Sequence, residues 1–282
     1  MNLKSILEIG QRVLLYGLVF LIALYALFPF YWAFVTSFKS EGELFQSATY
    51  FPEEPTLQNY EYVFRDNTFT NALGISSFVS AATSALALVV GSFAAYALGR
   101  LRFKGRVILL YVVLSMTMFP QISILSGLYT IVRELGFFGT PIALIVTYPV
   151  FTLPFTVWVL TSFFKGLPAE IEQAAIVDGA TPFQTFRLIL LPLTAPALVT
   201  TGLLSFVQSW NEYLFALNFT VTNPSAHPVS VAIAQFSGQF AEQEPIAEIM
   251  AAAMVVTIPL VVLVLVFQNR IVEGLTAGAV KG

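Results

Sequence analysis

The stretch Glu172–Pro192 reads EQAAIVDGATPFQTFRLILLP, and it differs from the sequence on either side of it. Long apolar runs flank it, whereas the stretch itself holds two short amphipathic segments. Asp178-Gly179 separates the two segments, and a proline closes the second one. The two segments are polar and are bounded by residues that end helices, although the chain around them is very apolar. Their role is the question that the rest of the sequence has to answer.

The composition indicates a membrane protein. Of the 282 residues, 57% are hydrophobic and only 10% are charged, whereas a soluble domain carries roughly 25% charged residues. The chain has no cysteine and one histidine, which excludes disulfides, thiolate metal sites and a histidine-based metal cluster. The net charge of −3 at pH 7 gives no indication of nucleic-acid binding.

Six uncharged, apolar windows are long enough for a membrane helix, which needs roughly 20 residues. We predict transmembrane helices at about 13–36, 72–98, 108–131, 141–163, 194–216 and 249–268. A seventh uncharged window, 213–241, is rejected because Asn, Gln and Pro interrupt it and hydrocarbon does not accommodate unpaired polar groups. The sequence therefore predicts an all-α integral membrane protein with one transmembrane domain over 1–282.

Lysine and arginine residues indicate the orientation of these helices. Most of them lie in the N-terminus, 99–107, 164–193 and the C-terminus. The exceptions lie on the opposite side: Lys39, Arg65 and Arg133. Positive charge marks the cytoplasmic side, so we expect both termini and the loop 164–193 to be cytoplasmic and the loop 218–247 to be extracellular.

Small residues recur at four-residue spacing in and just after the second predicted helix. They are Ser77, Ala81 and Ala85, followed by Gly91, Ala95 and Gly99. Such rows let helix backbones approach closely in lipid. Helix packing inside the bundle is one interpretation, and the lining of a transport pathway is the other.

Prolines interrupt several predicted helices, among them Pro120 and Pro154. Membrane helices tolerate such breaks where neighbours or a watery cavity satisfy the freed backbone groups, and transporters use them. Bundles without a transport function contain them too. We find no internal repeat, which disfavours a complete carrier built from duplicated halves.

One ionisable residue, Glu212, lies near the outer end of the fifth predicted helix, within Ser209-Trp210-Asn211-Glu212-Tyr213. Charged groups near the membrane are candidates for function. Alternatively, Glu212 is an interfacial carboxylate beside an anchoring Trp and Tyr.

The opening stretch and the residues before it predict a first short helix that stops at a glycine. Pro168 suits the first helical turn, where its missing N–H does no harm. Glu170 and Glu172 follow at the positive end of the helix dipole. Asp178-Gly179 then ends the helix, because glycine readily adopts the left-handed conformation found there.

A second short helix is predicted to begin at Pro182. Thr181 is the expected N-cap, and Gln184 occupies the third position of a capping box. The apolar stripe of this helix consists of Phe183, Phe186, Leu190 and Leu191. A partner protein could cover the apolar faces of both helices, or the faces could fold back onto the bundle's own inner rim. From the residues alone both remain open.

Several segments together resemble the permeases of ABC importers. Gln173-Ala174-Ala175, Gly179 and Ile189-Leu190-Leu191-Pro192 resemble the EAA loop of that family. The form found in sugar permeases is matched by Pro168-Ala169-Glu170-Ile171, Asp178-Gly179-Ala180, Ser209–Tyr213 and the tail Gly274–Gly282. The resemblance covers nearly the whole chain and is greatest to the shorter permease subunit of maltose/trehalose-type transporters.

The resemblance implies a permease subunit that forms half of the pathway of an ATP-driven importer for a di- or oligosaccharide. Its partners would be a second related permease, two copies of a cytoplasmic ABC ATPase and an extracellular or periplasmic sugar-binding protein, in a prokaryotic cytoplasmic membrane. The chain would not be an enzyme and would have no catalytic, metal or cofactor site. ATP and Mg would bind to the ATPase, and the chain contains no G-x-x-x-x-G-K-[ST] phosphate loop of its own.

The resemblance also implies that the loop docks in a cleft of the ATPase. The residues it assigns to this coupling are Glu170, Glu172, Gln173, Ala174, Ala175, Asp178, Gly179, Ile189 and Pro192. Gln173 stands where the family usually has Glu, so we expect a neutral hydrogen bond there instead of an ion pair. The loop 218–247 would reach the sugar-binding protein. Candidate contacts to that protein or to the pathway are Asn211, Glu212, Tyr213 and Asn218.

An ion-coupled secondary carrier or channel that acts without an ATPase is the alternative. It should carry charged groups at mid-membrane, and only Glu212 comes near that depth. A membrane-embedded enzyme would need a nucleophile, an acid–base pair or a metal cluster, and the sequence places no such group on one membrane face.

Overall fold

The computed structural model describes residues 3–46, 49–65, 67–239 and 245–279, and every regular element in these ranges is a helix. Four stretches are long and apolar enough to cross a membrane: Gly10–Ser37, Asn67–Arg100, Pro141–Gly166 and Ile246–Gln268. Two helix pairs pass the same test but are bent, Arg106–Met118 with Gln121–Glu134 by 99° and Pro182–Leu193 with Ala195–Trp210 by 76°. The described residues therefore offer four to six spans and confirm the prediction of an all-α fold.

The helices group into two compact units, and the first unit comprises residues 1–66 and 235–257. Its first three helices are α1 (Leu3–Ser37), α2 (Glu41–Gln46) and α3 (Gln58–Arg65). Asn59 in α3 donates hydrogen bonds from Nδ2 to the backbone oxygens of Ser37 and Lys39, both at 2.9 Å. These bonds satisfy carbonyl groups at and beyond the end of α1 and fix the loop that follows.

The second unit comprises residues 67–234 and 258–282. Its complete helices are α4 (Asn67–Arg100), α5 (Arg106–Ser115), α6 (Gln121–Glu134), α7 (Pro141–Thr147), α8 (Pro149–Gly166), α9 (Ala169–Val177), α10 (Pro182–Gln184), α11 (Leu191–Leu193), α12 (Ala195–Trp210) and α13 (Leu214–Thr220). Short 3-10 turns cover Met116–Met118 and Pro224–Ala226, and a π-helix covers Thr185–Leu190. The last two helices, each with residues in both units, are α14 (Val229–Gln239) and α15 (Ile246–Ala279).

Close packing of α4 against α8 forms the centre of the second unit. A Cβ atom on Gly91 would lie 2.7 Å from Thr156 Cγ2, and one on Gly99 would lie 3.2 Å from Phe164 Cβ. Ala95, between the two glycines, is fully buried. Helix packing is therefore the confirmed interpretation for this half of the small-residue row. The other half is exposed in this chain: Ser77, Ala81 and Ala85.

The span predicted at about 108–131 consists of two helices, because the chain breaks at Phe119-Pro120, where the sequence places an interrupting proline. Pro120 has no N–H to continue the helix, and a proline disfavours the helical conformation in the residue before it. Phe119 accordingly has an extended backbone, with φ −76° and ψ 130°. The two halves meet at 99°.

The predicted helix 194–216 extends too far, since α12 ends at Trp210 and α13 is a separate helix. The described part of the window 213–241, residues 213–239, forms short helices with breaks between them, as expected for a segment that does not span the membrane. Part of the predicted loop 218–247, residues 240–244, lies outside the described residues, as does the end of the tail at 280–282. α15 is longer than the predicted helix 249–268.

Candidate functional site

The first arm of the candidate site is α9, with Pro168 as its N-cap. The proline thus lies one position before the first helical residue, close to the predicted place. Glu170 and Glu172 lie in the first turn, as predicted. Gln173 and Ala174 are exposed, whereas Ala175 is only 3% exposed.

The bend between the two arms is built on Gly179. Its φ is +81°, a left-handed conformation that glycine adopts without steric cost. The Gly179 N–H donates to Ile176 O at 3.0 Å, and the Ala180 N–H donates to Ala175 O at 2.9 Å. These bonds satisfy carbonyls at the end of α9 and confirm the predicted stop at Asp178-Gly179.

The second arm begins with the predicted capping box. Thr181 N–H donates to Gln184 Oε1 at 2.8 Å, and Gln184 N–H donates to Thr181 Oγ1 at 3.3 Å. Pro182 is the first helical residue. The arm continues through the π-helix into α11, where Pro192 lies, and the 76° bend to α12 follows at Thr194.

The second arm packs part of its apolar stripe onto its own bundle. Phe186 is 4% exposed and Leu190 is fully buried. They belong to one core cluster that also contains Ala95, Tyr96, Leu160, Phe164 and Ala197. The Phe186 ring lies 4.9 Å from the Tyr96 ring between centroids. For these two residues the structure selects the interpretation in which the arm folds back onto the bundle.

Other apolar residues of the two arms stay exposed in this chain. We call this set the apolar ridge: Ile176 (62% exposed), Val177 (87%), Phe183 (57%) and Leu188 (65%). It lies on both sides of the Gly179 bend along the sequence, next to the exposed side chains of Gln173 and Asp178. An exposed apolar surface of this kind is typical of an interaction site. Folding back onto the bundle therefore accounts for Phe186 and Leu190 but not for the ridge, and cover by a partner stays a prediction for the ridge.

Glu172 points toward the bundle and pairs with Arg100 at the end of α4. Arg100 Nε lies 3.5 Å from Glu172 Oε2, and Tyr96 Oη donates to Glu172 Oε1 at 3.5 Å. Arg100 Nη2 also donates to the backbone oxygen of Pro168 at 3.2 Å. These contacts attach the first arm to α4. Sequence reasoning used Arg100 only for orientation and missed this role, because no local pattern links residues so far apart.

Two of the assigned coupling residues lie in the second arm, Ile189 just before the buried Leu190 and Pro192 two positions after it. Ile189 is partly exposed and Pro192 is exposed. Among the described residues, no three His, Asp or Glu side chains come together as a metal site.

The candidate contacts around Glu212 make local structural bonds. Glu212 is 7% exposed, and its carboxylate accepts hydrogen bonds from the N–H groups of Phe215 at 2.8 Å and Ala216 at 3.0 Å. The acid thereby caps α13, where negative charge is favourable. In this chain it is thus a buried cap of α13, and its predicted roles as a contact residue or an interfacial carboxylate stay predictions.

The three other candidate contacts, Asn211, Tyr213 and Asn218, differ in exposure. Asn211 Nδ2 donates to Val207 O at 2.9 Å, and Asn218 Nδ2 donates to Leu214 O at 2.7 Å. Tyr213 is 42% exposed. Asn211 and Tyr213 are therefore accessible in this chain, whereas Asn218 is partly buried.

Comparison with known proteins gives three kinds of match. A family model described as "Binding-protein-dependent transport system inner membrane component" matches residues 87–276. The trehalose transport system permease protein of Mycobacterium tuberculosis is 44% identical, over 92% of this chain and 93% of that protein. The trehalose/maltose transport system permease protein of Thermococcus litoralis is 42% identical, over 98% of this chain and 99% of that protein. A chain from the crystal structure of a bacterial ABC transporter involved in the import of the acidic polysaccharide alginate has the same fold, with a TM-score of 0.77 at 23% identity over 95% of this chain and 98% of that chain.

Proposed function

Since this chain belongs to the inner membrane components of binding-protein-dependent transport systems, we propose that it forms half of the translocation pathway of an ATP-driven importer for a di- or oligosaccharide. It is a multi-pass membrane protein and a permease of the ABC sugar type. The relatives that it matches along nearly their full length are permease proteins of trehalose and trehalose/maltose systems. Trehalose and maltose are therefore the first substrates to test.

The proposed complex supplies what this chain lacks. A second related permease forms the other half of the pathway, and a sugar-binding protein delivers the substrate to the outer face. Two copies of a cytoplasmic ABC ATPase bind ATP and Mg, and this chain binds no cofactor. The complex lies in a prokaryotic cytoplasmic membrane, with both termini of this chain and the loop 164–193 on the ATPase side.

The observation that carries the coupling role is the construction of the loop. In this proposal the ATPase covers the Gly179 bend and the exposed ridge residues just before it, Ile176 and Val177. Other residues of the loop contact the bundle: Phe186 and Leu190 are packed into it, and Glu172 is paired with Arg100. A push on the ridge would therefore reach α4 and α8 through buried contacts, which transmit displacement because packed interiors deform little.

Sugar uptake by the complete complex tests this function. The complex is reconstituted in liposomes with ATP inside and the sugar-binding protein outside, and uptake of labelled trehalose and maltose is measured. We expect uptake of at least one of them that requires both ATP and the binding protein. Uptake driven by an ion gradient without ATP would instead support the secondary carrier.

A further inference from the structure

A cavity of about 380 Å³ lies between the second arm, α4 and α12. We call it the arm groove. Its wall consists of residues 88–93 of α4, residues 183–191 of the second arm and Leu198 of α12, all within the second unit. Three side chains of the wall are exposed in this chain: Val89, Phe93 and Phe183. The groove is therefore accessible from outside the bundle.

The buried side of the arm groove is fixed by packing between the three elements. The Phe186 ring, which is buried, lies 5.1 Å from the Phe93 ring between centroids. Leu88 packs closely on α12, since a Cβ atom on Gly202 would lie 2.9 Å from Leu88 Cδ1. The groove is thus a formed feature of the fold, and its buried side joins the second arm to the bundle.

The interior of the arm groove suits hydrocarbon. Ser92 is a polar residue of its wall, but its hydroxyl already donates to the Leu88 backbone oxygen at 2.5 Å. The other residues of the wall are apolar, apart from Arg187. A sugar would lose the hydrogen bonds of its hydroxyls to water and gain few in return, which is costly. An acyl chain has no such groups to satisfy.

Arg187 places a positive charge on the wall of this apolar groove. It follows the buried Phe186 in the π-helix, and its own side chain is exposed. In the described part of the chain, the Arg187 side chain has neither an ion pair nor a hydrogen bond with another residue. A guanidinium binds phosphate oxygens through paired, charge-assisted hydrogen bonds. The groove and Arg187 together therefore fit a molecule with a hydrocarbon chain and an anionic phosphate.

The position of the arm groove along α4 places it in one leaflet of the membrane. Residues 88–93 belong to the apolar stretch Asn67–Arg100 that is long enough to span the membrane. They precede its end by about 10–18 Å, at a rise of 1.5 Å per residue, and half of the hydrocarbon core is about 15 Å thick. Lipid is therefore the neighbour available to the groove, and an arginine beside it can extend its charged end to the headgroups.

We propose that the arm groove binds an anionic phospholipid of the cytoplasmic leaflet. One acyl chain lies against Val89, Phe93 and Phe183, and the phosphate binds to Arg187, as in other basic pockets beside membrane helices. The bound lipid contacts the second arm, α4 and α12 together and so braces the arm against the bundle. For Phe183, the covering partner is then a lipid. The proposal uses the proposed orientation of the chain and is independent of the imported sugar.

Photocrosslinking of the complete complex tests this site. The complex is placed in phosphatidylcholine nanodiscs with a small fraction of phosphatidylglycerol that carries a photoreactive group on an acyl chain. Mass spectrometry then identifies the labelled peptides. We expect labelling of the segments 88–93 and 183–191. Unlabelled phosphatidylglycerol should suppress it, and the same amount of added phosphatidylcholine should not.

Substitutions of arginine test the headgroup contact. Arg187→Gln should lower labelling of both segments about three- to tenfold, the factor that one basic residue contributes at an anionic membrane surface. Arg187→Lys keeps a charge that binds phosphate and should retain labelling. Arg102→Gln is the matched control and should leave labelling unchanged, because Arg102 is exposed just beyond α4 and does not line the groove. Size-exclusion chromatography checks that each variant complex is intact.

Three results would overturn the lipid site. Equal suppression by phosphatidylcholine would show an ordinary lipid contact without selection of the headgroup. Equal loss of labelling in Arg187→Gln and Arg102→Gln would show a response to overall charge. No labelling of either segment in the wild-type complex would show that protein, such as the second permease, covers the groove. Sugar uptake is measured separately, so a failure of the proposed function is distinguished from a failure of the lipid site.

Discussion

Gly179 is the residue of the coupling loop whose identity the backbone restricts most. Its φ is +81°, and a Cβ atom would meet nothing within 4 Å. Conformation, not space inside this chain, therefore selects glycine. We propose that the ATPase occupies the open space next to Gly179.

We predict that Gly179→Asp abolishes ATP-dependent sugar uptake by liposomes that contain the complete complex. The substitution strains the bend, since residues with a Cβ rarely adopt this φ, and it inserts a charged side chain into the docking surface. Gly136→Asp is the matched control, with φ +73° and equally open surroundings in another loop. If both variants lose uptake alike, backbone strain explains the loss and the docking role is refuted.

Gln173 provides a second test at this scale. It is exposed in α9, where a neutral side chain can hydrogen-bond to a partner but cannot form an ion pair. We predict that Gln173→Ala weakens association with the ATPase, measured by pull-down, and does so less than Gly179→Asp. The reverse order would show that Gln173 is the dominant contact.

Contacts between residues could be predicted where the two residues are close in sequence. The Thr181–Gln184 capping box and the Gly179 stop follow from residues no more than five positions apart, and both are confirmed. The Glu172–Arg100 pair joins residues 72 positions apart, and no periodic pattern encodes it. The sequence singled out Glu212 as a candidate, but its role as a cap depends on α13. This helix begins inside the range 194–216, for which one longer helix was predicted.

Among the secondary-structure elements, α9 and α4 are joined by the Glu172–Arg100 pair. The pair is partly shielded from solvent, so salt screens it less than a surface pair. We predict that Glu172→Gln and Arg100→Gln each lower the amount of sugar imported per ATP hydrolysed, because the arm then moves without drawing α4 with it. The double variant should be no worse than either single variant. Additive losses would show that the two side chains act separately.

The contact between α4 and α8 is predicted to tolerate no side chain at Gly91. Gly91→Leu would clash with Thr156, since even a Cβ atom would lie 2.7 Å from Cγ2. Overpacking of this kind lowers the free energy of unfolding by about 1–3 kcal/mol. Thermal unfolding of the purified chain in detergent measures it, with Gly74→Leu as control, because Gly74 lies on the same helix in open space. Equal destabilisation by both variants would contradict the packing described here.

The length of each apolar window predicted that a helix is present, but it did not predict whether that helix is continuous. Pro120 breaks its span with a bend of 99°, whereas Pro154 lies inside α8 without ending it. The two prolines have the same intrinsic effect on a helix. Pro154 is buried and its neighbours are packed on several sides, whereas Phe119 and Pro120 are exposed. The difference is therefore set by tertiary packing, which a single sequence does not display.

At the scale of the whole molecule, we propose that the chain is a passive half of a gate. The chain has the fold of importer permeases and a loop that buries some of its apolar residues in the bundle and leaves others exposed. Nothing in its sequence resembles a phosphate-binding loop. In the proposed function its motion is driven by the partner ATPase, through the loop between α8 and α12.

The most direct test compares the purified chain with the complete complex, each reconstituted in liposomes and supplied with the transported sugar, an ion gradient and ATP. We predict accumulation of the sugar against its gradient only by the complex, and only while the ATPase hydrolyses ATP. Accumulation by the chain alone, with no ATPase present, would contradict the account.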